Sequence, residues 1–119
     1  MRAKDRVGSY GEQVAVRHLE EAGLTIVARN WRCEIGEIDV VALDGSTVVV
    51  CEVKTRSGFG YGSGLEAVTR AKAARLRRLG RRWLAEHGAS PAVRLRFDVV
   101  AVHRGGRGPV TVEHLRGAF

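Results

Sequence analysis

The segment GEIDVVALDGSTVVVCEVKTR, Gly36 to Arg56, decides the fold of this chain. Two runs rich in valine flank Asp44-Gly45, a dipeptide that is typical of two-residue hairpin turns. Asp39, Glu52 and Lys54 interrupt these apolar runs, although the rest of each run is typical of a buried strand. The segment therefore predicts an antiparallel hairpin with three charged side chains inside its strands.

The register of the hairpin determines where these charges point. With Asp44-Gly45 as the turn, the expected pairs are Leu43 with Ser46, Asp39 with Val50, and Glu37 with Glu52. Side chains alternate along a strand, so Glu37, Asp39 and Val41 would share a face. Directly opposite residues of a hairpin point to the same face, so Asp39, Glu52 and Lys54 would lie on one side of the sheet. Asp39 and Glu52 would be diagonal neighbours, about 7–8 Å apart. A turn of three residues would reverse this parity.

Two carboxylates at that distance repel each other, and burial increases the cost. A divalent cation between them would remove it, and oxygen ligands without histidine or cysteine favour Mg²⁺ or Mn²⁺. Lys54 could position an attacking water or neutralise charge on a phosphate. The competing explanation is a surface strand with ordinary salt bridges. The matched parity favours the functional interpretation.

The periodicity of apolar residues, with glycine and proline at the ends of periodic segments, predicts the other helices and strands. A first helix is expected within residues 9–23 and a strand at residues 24–31. After the hairpin, a long helix is expected from about Leu65 to His87, followed by strands at residues 93–102 and 110–115. The order is α-β-β-β-α-β-β, with a parallel crossover around the long helix. This predicts an α/β fold in which helices flank a mixed five-stranded sheet, and the length of 119 residues indicates one domain, residues 1–119.

Glu12 has two explanations. Ser9 followed by Glu12 matches a capping box at a helix start. Glu12 also lies on the stripe of Ala15, Leu19 and Ala22 that should face the sheet, from which it could reach the metal site. The hairpin favours the second explanation.

The charge favours a polyanionic partner. The net charge is +7, from 20 Lys and Arg against 13 Asp and Glu. On the long helix, Lys72 interrupts the apolar stripe of Leu65, Val68, Leu76, Leu79 and Trp83. The expected nucleic-acid contacts are Arg56, Arg70, Lys72, Arg75, Arg77, Arg78, Arg81 and Arg82. Ordinary solvation of a basic face is the alternative for the arginines, and snorkelling is the alternative for Lys72.

Other features narrow the class of protein. The sequence has no apolar run of membrane-spanning length and no signal peptide, so a cytoplasmic protein is expected. Cys33 and Cys51 form no CxxC pair and are expected to be reduced. Phe59 and Tyr61, between glycines, could stack on bases or cover the core edge. Asp98 is expected to pair with a nearby arginine.

The motifs resemble those of the YraN-type bacterial family, which is related to archaeal Holliday junction resolvases and the restriction-endonuclease-like PD-(D/E)xK superfamily. The resemblance rests on GSYGEQVA (8–15), GEIDVVA (36–42), VCEVKTR (50–56), AVTRAKAARL (67–76) and RFDVVAV (96–102). It implies that Asp39, Glu52 and Lys54 form a nuclease core, with Glu12 as the acid on the helix. Ile38 stands where the superfamily has a proline.

The expected function is Mg²⁺- or Mn²⁺-dependent endonuclease activity, with Asp39, Glu52 and the Val53 carbonyl as metal ligands. Lys54 would assist the water, and cleavage would leave a 5′-phosphate if it follows the resembled nucleases. Branched DNA is the leading substrate by analogy, and a resolvase would require a homodimer. The alternative is a nucleic-acid-binding module with a silent site. A third option is a protein whose Arg-rich helix binds an acidic protein.

Overall fold

The computed structural model describes residues 3–57, 68–90, 92–105 and 108–119. The elements in chain order are α1 (Ala3–Glu21), β1 (Thr25–Cys33), β2 (Gly36–Asp44), β3 (Thr47–Ser57), α2 (Arg70–Glu86), β4 (Leu95–Arg104) and β5 (Thr111–Leu115). This α-β-β-β-α-β-β order is the predicted one. Neither α1 nor α2 combines the length and apolarity that a membrane-spanning helix requires.

The five strands form one mixed sheet in the order β1-β2-β3-β4-β5. The pair β3–β4 is parallel, as expected for a crossover through α2, and the other three pairs are antiparallel. Such a mixed sheet flanked by helices confirms the predicted fold class. Its parallel central pair is where Val49, Val50, Val99 and Val100 are almost completely buried.

The core has two parts, one for each helix. Ala15 and Leu19 of α1 pack with a cluster that includes Val40, Ala42 and Cys51. Leu76, Leu79 and Trp83 of α2 pack with a second cluster that includes Ile38, Val41, Val48, Val50 and Phe97. Because residues of β2 and β3 divide between the two clusters, we refer below to the α1 side and the α2 side of the sheet.

The helix boundaries differ from the predicted ones. Helix α1 begins at Ala3, so Ser9 lies inside it, and the capping box, the less favoured of the two explanations of Glu12, is wrong. Ala22 lies beyond the helix end and is exposed, so it does not belong to the buried stripe. Helix α2 begins after the N-cap Thr69, whose hydroxyl oxygen accepts a hydrogen bond from the Lys72 backbone N–H. Val68 therefore precedes the helix, and Leu65 lies outside the described residues.

The hairpin turn lies one residue later than predicted. Asp44 pairs with Thr47 and Leu43 pairs with Val48, so Gly45 and Ser46 form the turn. The predicted pairs Leu43–Ser46, Asp39–Val50 and Glu37–Glu52 are therefore wrong. Gly45 has a φ of +61°, which glycine adopts without steric cost. Asp44 stays at the end of β2 because its carboxylate accepts a hydrogen bond of 2.8 Å from the Arg96 guanidinium.

Both cysteines are unpaired thiols, as expected. Cys33 is half-buried and Cys51 is buried. Burial, with the nearby Asp98 carboxylate, raises the pKa of the Cys51 thiol far above its usual range. A thiol that resists ionisation is a poor nucleophile and a poor metal ligand, so Cys51 acts as a core residue.

Candidate active site

The predicted site lies where the pairing of β2 with β3 ends. The last paired residues are Val40 and Cys51, which places Asp39 and Glu52 at the next position of each strand. There the Val53 backbone N–H donates a hydrogen bond of 2.8 Å to Asp39 Oδ2. The Asp39 carboxylate thus accepts a hydrogen bond from a backbone amide of β3 just beyond the last backbone pair. This hydrogen bond holds Asp39 between the two strands.

The alternation of β2 between the two sides is interrupted at Asp39. The flanking Ile38 packs on the α2 side, whereas Val40 packs on the α1 side. Ile38 and Val40 are two residues apart, so strict alternation would place both side chains on the same side of the sheet. Val41 also packs on the α2 side, whereas a Glu37 carboxylate oxygen lies within 4.8 Å of one from Glu12 of α1. The prediction that Glu37, Asp39 and Val41 share one face is therefore wrong.

Strand β1 has a matching irregularity at Asn30. Arg29 pairs with Val40 and Trp31 pairs with Ile38, which places Asn30 across from Asp39. Asn30 has a φ of +53°, and it is the only non-glycine residue with a positive φ in the described part of the chain. Asparagine tolerates this left-handed conformation better than β-branched residues do. We infer that Asn30 allows both strands to change side together.

This geometry gives a testable prediction at Asn30. Asn30→Val is expected to destabilise the fold by about 1–2 kcal/mol, because a β-branched residue is strained at positive φ. Asn30→Gly should be nearly neutral by the same argument. Urea unfolding of the two variants measures the difference. Equal stability of the valine and glycine variants would show that the backbone conformation at this position places no constraint on the strand.

Three carboxylates meet at this end of the sheet. Oxygen atoms of Glu12, Glu37 and Asp39 all lie within 4.8 Å of one another, and all three residues are half-buried. Glu12 is brought in by α1, which approaches β3 closely at Gly11. A Cβ at Gly11 would clash with the Thr55 hydroxyl oxygen, so no side chain fits there without movement. The cluster thus brings the helix-borne Glu12 together with Asp39, and Glu37 of β2 lies with them instead of opposite Glu52 as the predicted register has it.

Glu52 reaches the α2 side, as do Val48 and Val50, two and four residues earlier in β3. Its Oε1 lies 2.5 Å from Nζ of Lys72, in the first turn of α2. Only 13% of the Glu52 side chain is exposed. Glu52 is also close enough to Asp39 to affect the ionisation of that carboxyl. Glu52 is not among the three carboxylates whose oxygens lie within 4.8 Å of one another, but its charge acts on Asp39 and it is paired with Lys72 of α2.

The electrostatics of the site are unusual for a surface. Burial, followed by the negative charge of Glu52, raises the pKa of Asp39 to about 7, although the Val53 hydrogen bond acts in the other direction. Burial and the ammonium of Lys72 lower the pKa of Lys54, and the charge of Glu52 opposes this effect. Asp39 therefore gains a strong preference for a nearby positive charge, which is the property expected of a cation ligand.

The predicted nucleic-acid residues divide into two groups. Six are exposed, namely Arg56, Arg70, Arg75, Arg77, Arg78 and Arg81. Lys72 and Arg82 are half-buried and paired with acids. The Arg82 guanidinium lies 2.6 Å from Glu34 and 3.2 Å from Glu86, so part of the helix charge is already neutralised. Phe59 and Tyr61 lie outside the described residues.

Asp98 forms the ion pair that the sequence predicted. The Arg96 guanidinium donates two hydrogen bonds to it, of 2.9 and 3.0 Å. His114 and the Gly117 backbone N–H also contact the carboxylate. No periodicity in the sequence indicated these last two partners, because they depend on how the C-terminal segment folds back onto β4.

Comparison with known proteins identifies relatives along the whole chain. Residues 11–102 match the model of the uncharacterised protein family UPF0102. A UPF0102 protein of Parafrankia sp. (strain EAN1pec) is 60% identical over 119 residues and covers 100% of both chains. A UPF0102 protein of Beutenbergia cavernae is 62% identical over 117 residues, covering 98% of each chain. The family model spans the helix-borne Glu12, the hairpin and α2, and on this evidence the chain belongs to the UPF0102 family.

Proposed function

We propose that this chain is a divalent-metal-dependent endonuclease that hydrolyses phosphodiester bonds of nucleic acid. The observation that supports this function best is the meeting of Glu12, Glu37 and Asp39 within 4.8 Å, next to Glu52 and Lys54. Half-buried carboxylates at this separation repel one another unless a cation lies among them. In a metal-dependent phosphodiester hydrolase, such a cation polarises the phosphoryl oxygen and a lysine beside it stabilises the developing negative charge.

The residues present fit Mg²⁺ or Mn²⁺. The donors are carboxylate oxygens, which both ions prefer. Burial and, after it, the negative charge of Glu52 raise the pKa of Asp39, and a bound cation would offset both effects. Asp39 and Glu52 would hold the ion together with the Val53 carbonyl, and Glu12 and Glu37 would complete its surroundings. When bound, the ion would polarise a phosphoryl oxygen and lower the pKa of a nearby water.

Groups of the protein itself would position the metal ligand, stabilise the negative charge on the phosphate and bind the nucleic acid. The Val53 N–H holds the Asp39 carboxylate in place, so this ligand needs little reorganisation. Lys54 would donate a hydrogen bond to the phosphate, or to the attacking water, as negative charge develops on the phosphoryl oxygens. Water would attack in line, and the 3′ oxygen would leave, which produces a 5′-phosphate. The exposed arginines of α2 would bind the nucleic-acid backbone.

A substrate panel tests this proposal. Purified protein is incubated with branched, flapped, single-stranded and duplex DNA in Mg²⁺, Mn²⁺ or EDTA, and the products are resolved on denaturing gels. Metal-dependent cleavage of at least one substrate is expected, with branched DNA cut fastest. The Asp39→Asn variant, purified in the same way, controls for a contaminating nuclease.

Two other outcomes point to other functions. Salt-sensitive DNA binding without metal-dependent cleavage of any substrate would favour a nucleic-acid-binding module with a silent site. Weak DNA affinity even at low salt would favour an Arg-rich helix that binds an acidic protein. The oligomeric state in solution adds a further test, because a resolvase that cuts two strands of a junction would require a homodimer.

A further inference from the structure

Lys72 occupies an unusual place for a helix lysine. It lies in the first turn of α2, where the Thr69 side chain caps its backbone N–H at 3.1 Å. Its side chain extends to Glu52, and 32% of the side chain is exposed. A snorkelling lysine would instead turn its ammonium to solvent. The ion pair therefore accounts for a lysine within the apolar stripe.

The partner of Lys72 is a residue that the proposed function assigns to the cation. Glu52 Oε1 lies 2.5 Å from the Lys72 ammonium. Without a divalent ion, the Glu52 carboxylate thus already has a positive charge beside it. Glu37 Oε2 lies 3.3 Å from the Arg32 guanidinium, and Asp39 accepts the Val53 N–H, so Glu52 is the carboxylate of the site that is paired with a cation from α2.

We infer that Lys72 competes with the divalent cation for Glu52, an inference that rests on the proposed function. Binding of the ion displaces the ammonium, which becomes available to a phosphate of the nucleic acid. Lys72 is in this sense a positioning residue that couples occupation of the metal site to retention of the substrate. The consequence is that metal and nucleic acid bind cooperatively.

The chemistry of the side chain suits this exchange. An ammonium close to a doubly charged ion is repelled, whereas an ammonium close to a phosphate is attracted. Lysine carries a compact charge on a flexible side chain, so its ammonium can move from one oxygen ligand to another. An arginine bound to a carboxylate by two parallel hydrogen bonds would have to break both. The partial exposure of Lys72 leaves it a route to solvent and to a bound polyanion.

Titration with Mn²⁺ tests the competition directly. Lys72→Met should bind Mn²⁺ about three- to tenfold more tightly than the wild type in isothermal calorimetry, because no ammonium has to be displaced from Glu52. Arg70→Met is the matched control, since Arg70 is an exposed cation in the same helical turn. That variant should change the affinity for Mn²⁺ less than about twofold. Equal affinity of Lys72→Met and wild type would overturn the inference.

Binding of duplex DNA, measured by fluorescence anisotropy in Ca²⁺ and in EDTA, tests the coupling. For the wild type, Ca²⁺ should tighten DNA binding, and Lys72→Met should lose most of that gain. An undiminished gain in the variant would overturn the coupling. If Mn²⁺ binds neither protein, the metal site of the proposed function fails together with this inference. If Mn²⁺ binds both equally, only the role of Lys72 fails.

Discussion

Asp39→Asn is expected to remove metal-dependent cleavage and, at the same time, to stabilise the metal-free protein. Loss of a charged ligand at the centre of the carboxylate cluster should reduce the cleavage rate by about 100- to 1,000-fold. Asparagine retains a side-chain oxygen that can accept the Val53 hydrogen bond, so the strand geometry should survive. The rate is measured with the substrate that the wild type cuts fastest.

The direction of the stability change follows from the pKa of Asp39. In the folded protein this pKa is raised from 3.8 to about 7, so the native state binds the proton more tightly than the unfolded chain does. The free energy of unfolding therefore falls as the pH rises from about 4 to about 7, and the full cost of the charged carboxylate is present above pH 7. Asp39→Asn removes that cost, and a gain of about 1–2 kcal/mol is expected in EDTA at pH 8 after allowance for solvent screening.

The two measurements together distinguish a functional acid from a structural one. Neutralising an acid that stabilises the fold makes the protein less stable. Neutralising a metal ligand held in a repulsive site makes the protein more stable and less active. Glu52→Ala and Lys54→Ala serve as companions, and both should lose cleavage while they retain DNA binding. A less stable Asp39→Asn protein in EDTA at pH 8, or one with wild-type cleavage, would contradict the assignment of Asp39 as a metal ligand.

The order of the elements could be predicted from the sequence because it depends on local patterns. The valine-rich runs of β2 and β3 and the spacing of Leu76, Leu79 and Trp83 are each visible within a short window. The parallel pairing of β3 with β4 then follows from the handedness of a crossover through a helix. The pairing of Asp98 with an arginine was equally local, since Arg96 is two residues away on the same side of β4.

The hairpin register could not be predicted because a distant contact contributes to it. Asp44-Gly45 is a strong local turn signal, yet Asp44 remains in β2, where it accepts a hydrogen bond from Arg96, 52 residues further along the chain. The shift of one residue at the turn moves each cross-strand partner by two residues. Val40 therefore pairs with Cys51, and Asp39 and Glu52 lie just beyond this last pair.

The composition of the site was predictable only in part. Glu12, Asp39 and Glu52 were identified by sequence, but the grouping of Glu37 with Glu12 depends on the interruption of alternation at Asp39. A rule of strict alternation has no means to anticipate such an irregularity. Lys72 was noticed as a charge within an apolar stripe, and only the packing of α2 against β3 could show that Glu52 is its partner.

Asp98→Ala is expected to destabilise the fold by about 3 kcal/mol, the largest loss of stability among the substitutions considered. Asp98 is 1% exposed and accepts hydrogen bonds from Arg96, from His114 of β5 and from the Gly117 backbone N–H. Alanine would leave the His114 ring and the Gly117 N–H without this acceptor, and Arg96 would keep only Asp44, which costs more than the loss of the bonds themselves. It would also release the C-terminal segment, which is fastened to β4 at this point.

The pH dependence of that loss provides the test. Burial alone would raise the pKa of Asp98, but hydrogen bonds from His114, Arg96 and Gly117 outweigh it and lower the pKa to about 2. The carboxylate therefore contributes fully above its unfolded-state pKa of 3.8, and its contribution is lost as the pH falls towards 2. In urea unfolding, the gap between wild type and Asp98→Ala should narrow as the pH falls from about 4 towards 2.

A matched acid separates the effect of the network from the effect of net charge. Glu20 is exposed on α1, and Glu20→Ala should change the free energy of unfolding by less than about 0.5 kcal/mol at every pH. If Asp98→Ala were as stable as Glu20→Ala, the four hydrogen bonds would contribute nothing beyond solvation of the separate groups. A gap that persists unchanged at pH 2 would show that the ionised carboxylate is not what stabilises the C-terminal segment.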